Sequence, residues 1–123
     1  IFPNEIVRRN KAAEYYTSNL PVGYRAPIVP ENYLSSWAQY SILLEEDQDR
    51  EWVIQLLMEK DIPAMIYYKI PLHLQKVFDY LGYEGGDFPV TENTSEHIFS
   101  IPMHAYLETS EQDIILETLH AAI

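Results

Sequence analysis

The side chains best suited to directional chemistry are Tyr67, Tyr68 and His73, in the stretch Asp61-Ile-Pro-Ala-Met-Ile-Tyr-Tyr-Lys-Ile-Pro-Leu-His-Leu-Gln75. Phenol and imidazole groups both donate and accept hydrogen bonds. Placed near a chain reversal, they suit the holding of a polar ligand. A buried tyrosine with a satisfied structural histidine is the competing reading of the same residues. A second stretch, Ile101-Pro-Met-His-Ala-Tyr-Leu107, reads as a proline-stiffened connection packed on the core. Sets that would carry catalysis are missing. The four histidines, His73, His97, His104 and His120, have no helical i, i+3 or i, i+4 partner among themselves, so no helical metal pair exists. There is no glycine-rich phosphate loop, and Gly85-Gly86 is an isolated turn signal. Cysteine is absent, which excludes disulfides, thiolate nucleophiles and thiolate-bound metals.

The elements that must position these groups follow from periodicity. The apolar run Ala64 to Ile66, bounded by Pro63 and Pro71, reads as a short buried strand, Pro63–Tyr68. Side chains alternate across a strand, so one tyrosine of the pair is expected to face the core and the other an open side. Residues 1–20 read as a helix with Phe2, Ile6, Ala13, Tyr16 and Leu20 near one face, ended by Pro21 and Gly23. Residues 21–35 carry three prolines and read as a surface loop, with Tyr24 and Arg25 placed to contact a ligand or a neighbouring chain. Trp37 to Glu45 alternates as a buried strand. Asp47 or Asp49 then caps a helix over 50–60 with Trp52, Val53, Leu56 and Leu57 inward. The two strands flank that helix as a β-α-β unit whose direct pairing and direction the pattern leaves open. Further helices are expected at 72–81 (Leu74, Val77, Phe78, Leu81; Gly82 as cap) and at 90–99, where Ile98 and Phe99 form the apolar end. The last begins at Thr109–Ser110, with a Thr109/Gln112 capping box and an Ile115, Leu119, Ala122 stripe. The expected class is α+β: a small mixed or antiparallel sheet of two to three strands packed with four to five helices, in a single domain over residues 1–123.

With 123 residues, 47% of them hydrophobic, the chain can bury one core. Its net charge of −11 argues against nucleic acid, because a phosphate backbone demands a basic surface. The acid is concentrated: residues 1–37 hold four basic and three acidic groups, residues 38–123 four and sixteen. A solvated acidic surface explains this, with an acidic face toward a partner as the alternative. No run approaches the roughly 20 apolar residues of a membrane span. The absence of cysteine fits a cytoplasmic protein. Ile1 opens directly into a helix-like segment without an initiator Met, and the expectation is a piece of a longer chain.

An ordered set of short motifs runs along the sequence: Arg9 and Tyr16, then Trp37-x-x-Tyr40-x-Ile42, Arg50, and Tyr67-Tyr68-x-x-Pro71-Leu-His73-Leu-Gln75. Phe78-x-x-Leu81-Gly82-Tyr83, Asp87-Phe-Pro89-x-x-Glu92 and Ile101-Pro-Met-His104-x-Tyr-Leu107 complete it. Together they resemble the C-terminal region of the DegT/DnrJ/EryC1/StrS family of PLP-dependent sugar aminotransferases. The resemblance implies the small C-terminal domain of an aspartate-aminotransferase-fold homodimer. It implies an intact enzyme that moves an amino group, usually from glutamate, onto a nucleotide-linked keto-sugar, with pyridoxal 5′-phosphate as electron sink. It further implies that the cofactor belongs to an N-terminal domain absent here. The four lysines, Lys11, Lys60, Lys69 and Lys76, do not match the family's cofactor lysine, so no cofactor and no catalytic residue are expected in this chain. By position, Tyr67, Tyr68 and His73 fall on the substrate side. Lys69 departs from the family pattern, which has proline after the second aromatic. A reading from another class is a free-standing, non-catalytic ligand-binding or protein-interaction module with the same fold.

Overall fold

The computed structural model describes residues 2–123, with side chains from residue 4 onward. Helix α1 (Phe2–Asn19) leads into the two-residue strand β1 (Tyr24–Arg25), and an irregular stretch then reaches β2 (Tyr40–Leu44). Helix α2 (Arg50–Glu59) follows, then two 3₁₀ segments, Leu72–Leu74 and Lys76–Leu81. Helix α3 (Pro89–His97) runs without a loop into β3 (Ile98–Ile101), and α4 (Thr109–Ala121) closes the described chain. The α+β class is the expected one.

The sheet is antiparallel, in the order β1-β2-β3, with Tyr24 opposite Leu44, and Tyr40 and Ile42 opposite Ile101 and Phe99. The alternation read in β2 is real: Tyr40, Ile42 and Leu44 are fully buried, with Ser41 and Leu43 on the other face. The first set meets Tyr16 of α1, Val53 and Leu57 of α2, and Ile115 and Leu119 of α4 in one core. Large phenols enter this core because their hydroxyls find partners. The Tyr16 hydroxyl donates to Pro102 O at 3.1 Å, Tyr24 to Leu119 O at 2.9 Å, and the Tyr40 and Thr17 hydroxyls bond at 2.7 Å. Burial pushes the Tyr16 and Tyr24 phenols well above their ordinary pKa, so both remain donors at any physiological pH.

Several expectations are corrected. Tyr24 does not face a ligand; it is buried, and β1 lies inside what reads as a loop because two residues carry no legible period. Phe2, expected on the inner face of α1, lies outside the described side chains. Trp52 is about half exposed and Leu56 only partly buried, so the inner face of α2 is Val53 and Leu57, flanked by Ile54. Asp49 is the cap: its carboxylate accepts from Trp52 N at 3.1 Å. The capping box of α4 begins one residue earlier than expected, as Glu108 with Glu111, and the Gln112 side chain instead donates to Ala12 O at 2.9 Å in the core. Residues 72–81 form 3₁₀ turns rather than an α-helix, ended by Gly82 at φ 74° as expected of its cap. Ile98 and Phe99 begin β3 rather than end a helix, since Phe99 pairs against Ile42 and is fully buried. The stretch 63–68 is not a full strand either. Only Met65 pairs, as an isolated antiparallel bridge to Ser100. The two flanks of α2 therefore do not pair directly: β3 lies between them, antiparallel to each, so they run parallel.

Phe99 is central to this arrangement, so Phe99→Ala is expected to destabilise the chain by about 3–5 kcal/mol through lost transfer energy and a residual cavity. Val22→Ala, at an exposed position, should stay within about 0.5 kcal/mol. Urea unfolding midpoints at matched slope check both.

Candidate functional site

The bridge to Ser100 pins Met65 to the open edge of β3, with Met65 N to Ser100 O at 3.0 Å and the return bond at 2.7 Å. Ala64 and Ile66 pack on the core at either side. The chain then turns away from the sheet, which leaves Tyr67 40% and Tyr68 72% exposed. Neither ring is a core residue, contrary to the alternation expected of a strand. The peptide bond between them is cis. The two rings stand edge to face, with centroids 6.3 Å apart. Both border an open cavity of about 280 Å³. One wall is the turn from Tyr67 to Leu72; the other is α3, through Val90, Thr91, Thr94 and Ser95, with Ile98 at the base. Tyr67 also borders a smaller concavity of about 200 Å³ against Pro63, Met65 and Met103.

Two polar connections, the first of them buried, hold the α3 wall. Arg50, 8% exposed, reaches from the start of α2 to Ser95 O at 2.5 Å and Ile98 O at 3.3 Å. A guanidinium at the C-terminal carbonyls of α3 satisfies acceptors that the helix leaves open and opposes the negative end of its dipole. At the other end, Glu92 reaches back from the first turn. Its carboxylate accepts from Gly86 N at 3.0 and 2.9 Å, from Phe88 N at 3.2 Å, and from His73 Nε2 at 2.8 Å. The Gly86 amide foremost, and the His73 ring next, hold its pKa below the usual carboxylate range.

The three residues singled out in the sequence are thus divided. Tyr67 and Tyr68 share a cavity; His73 does not line it. The His73 side chain is 7% exposed, bonded to Glu92 and 4.8 Å from the Phe88 ring. Sequence reasoning gave no role to Glu92, Thr91 or Thr94. A signal for Glu92 was present, a glutamate in the first helical turn behind Pro89. Thr91 and Thr94 have no such signal, because only the fold shows which side of α3 meets the tyrosines. Among the described residues no group of three or more His, Asp or Glu side chains stands ready for a metal.

The sequence profile of the DegT/DnrJ/EryC1/StrS aminotransferase family matches residues 2–120. The chain belongs to this family. It is 35% identical over 120 residues to the UDP-2-acetamido-2-deoxy-3-oxo-D-glucuronate aminotransferase of Pseudomonas aeruginosa, covering 97% of this chain and 32% of that protein. To the UDP-N-acetyl-3-dehydro-alpha-D-glucosamine 3-aminotransferase of Acidithiobacillus ferrooxidans it is 31% identical over 117 residues, covering 91% and 30%. A solved DegT DnrJ EryC1 StrS aminotransferase from Brucella abortus superposes with a TM-score of 0.84 at 35% identity, over 95% of this chain and 31% of that one. The chain therefore spans about a third of the length of these family members.

The family implies pyridoxal phosphate, but the residues of this chain do not fit it. The cofactor needs a lysine amine held in an enclosed site. Lys11, Lys60, Lys69 and Lys76 are all exposed, and Lys69, nearest the cavity in sequence, lies 3.7 Å from Glu51. No step through the cofactor is assigned to these residues.

The Glu92 geometry has a pH consequence. A carboxylate with a lowered folded-state pKa contributes stability that is complete above the ordinary carboxylate range and lost as pH falls through the lowered value. The Gly86 amide proton resonance is expected to titrate with a midpoint below that range, and Glu92→Gln should abolish the titration.

Proposed function

We propose that this chain is the C-terminal small domain of a pyridoxal-phosphate-dependent aminotransferase, and that it forms part of the wall that closes over a nucleotide-linked keto-sugar. In the net reaction the sugar's carbonyl oxygen is exchanged for an amino group, and glutamate's amine becomes a ketone. Pyridoxal phosphate is bound by an N-terminal domain of the longer protein, which acts as a cytoplasmic homodimer. The observation that carries this reading is the pairing of two exposed phenols with the threonines of α3 around one cavity. Tyrosines on one wall and threonines on the other suit a polyhydroxylated ring, which such hydroxyl groups can orient by donating and accepting at once. Membership of an aminotransferase family supports the reaction class, and the named substrates of the relatives support the sugar nucleotide.

Exposed apolar side chains support a further domain. Ile70, Leu72 and Val90 of the cavity and Val77, Tyr80 and Leu81 of the second 3₁₀ segment are all half or more exposed. An apolar surface of this extent belongs against another surface in a folded protein. The absence of a fitting lysine also supports a cofactor held elsewhere.

Absorbance of the complete protein tests the reading. Loaded with pyridoxal phosphate, it should show a visible cofactor band that shifts on adding glutamate; no band would overturn the proposal. In that protein, Tyr68→Phe should lower kcat/KM for the keto-sugar nucleotide by roughly 1–3 kcal/mol of transition-state binding. An unchanged kcat/KM would remove Tyr68 from the site.

A further inference from the structure

The cavity has two walls that come from separate stretches of chain; each is anchored at one end on β3, and away from the sheet they are joined by one hydrogen bond and by the packing of His73 on Phe88. His73 follows Pro71 and Leu72 of the first wall, and Glu92 stands between Thr91 and Thr94 of the second. Among the described hydrogen bonds, the His73–Glu92 contact at 2.8 Å is the one that joins segment 66–75 to segment 84–97. Each partner is fixed on its own side. Glu92 is held by the amides of Gly86 and Phe88, and the His73 backbone lies in a 3₁₀ turn closed by Leu74 N to Pro71 O at 3.0 Å and Gln75 N to Leu72 O at 3.1 Å. The imidazole is buried against Phe88, whose ring also stands 5.0 Å from Tyr83. An ionised carboxylate only accepts, so the imidazole donates through Nε2–H. A charge-assisted bond in a part-buried place is short and directional, and it fixes the distance between the groups that carry it.

We infer that His73 is a positioning residue rather than a substrate ligand: through Glu92 it sets the separation of the two cavity walls, and so the place where the Tyr68 hydroxyl meets the sugar. The substrate part of this statement rests on the function proposed above; the mechanical part, that one bond ties the walls, does not.

The test uses the complete protein and two readouts, hydrogen exchange by peptide and steady-state kinetics with a keto-sugar nucleotide. His73→Ala should speed exchange in both 73–78, where the amides of Leu74, Gln75 and Phe78 are bonded, and 84–91, because the tie between the two walls is lost. It should lower kcat/KM about tenfold, mainly through KM. His73→Gln places an amide nitrogen near the Nε2 position and should recover activity to within about threefold, whereas His73→Asn is too short and should behave as alanine does. The double variant His73→Ala/Glu92→Ala should be no worse than Glu92→Ala alone, since the two residues act as one unit. Unchanged exchange in 73–78 would overturn the tie. Normal exchange with equal activity loss in the Gln and Asn variants would make His73 a direct ligand instead. A wild-type protein without aminotransferase activity would sink the proposed function alone, and the exchange pattern would still decide whether the bond joins the walls. If His73→Ala does not fold, the Gln and Asn variants carry the same comparison.

Discussion

Strand β3 is paired along both edges, and the site depends on that. Ser100 faces Ser41 of β2 on one side and Met65 on the other. Phe99 and Ile101 of the same strand are buried in the core, and Ile98 sits at the base of the cavity. Because α3 enters β3 without a loop, its last turn is fixed as soon as the strand pairs. The bridge to Met65 fixes the start of the tyrosine turn by the same strand. Both walls of the cavity are therefore referenced to four residues of sheet. A core substitution such as one at Phe99 acts on the site through this route, with no contact to a ligand.

Polar groups complete what the sheet begins. Arg50 is a buried cation, and burying a guanidinium is costly unless its donors are used. It serves two carbonyls where α3 becomes β3, so the cost of its desolvation is offset where the chain changes geometry. Removing it would leave those carbonyls without that donor. Glu92 does the corresponding work at the N-terminal end of α3, where free amides and the positive end of the helix dipole favour a carboxylate. Short and polar, α3 is thus held by one charge at each end rather than by an apolar stripe.

That feature explains which parts of the fold were legible in the sequence. The strand Tyr40–Leu44 buries one clean face and its period shows, whereas the helix behind Asp49 is legible in its cap and in Val53 and Leu57 but not in Trp52 and Leu56. Helix α3 reads Pro-Val-Thr-Glu-Asn-Thr-Ser-Glu-His and has no such face, so nothing in its pattern marks where it stops. Ile98 and Phe99 then fit a helix end as well as a strand start, and only the pairing with β2 decides. The spacing of Leu74, Val77, Phe78 and Leu81 is that of an amphipathic helix. Yet Leu74, Val77 and Leu81 are exposed, so this chain gives them no core to bury against. For the site, residue type gave Tyr67 and Tyr68, which do border a cavity. It could not separate them from His73, because a phenol at a cavity wall and an imidazole behind one look alike in sequence.

The cavity also limits what this chain can recognise. None of the residues around it carries a formal charge at neutral pH. The nearest cation in sequence, Lys69, is 71% exposed and already 3.7 Å from Glu51. Such a surface can read hydroxyl directions and ring shape, but it offers no fixed countercharge to a diphosphate. Against a chain of net charge −11, a nucleotide's phosphates gain nothing from long-range attraction. Under the proposed function, recognition is then divided by chemistry: this cavity supplies neutral, directional contacts to the sugar, and the charge that holds the nucleotide comes from outside the cavity.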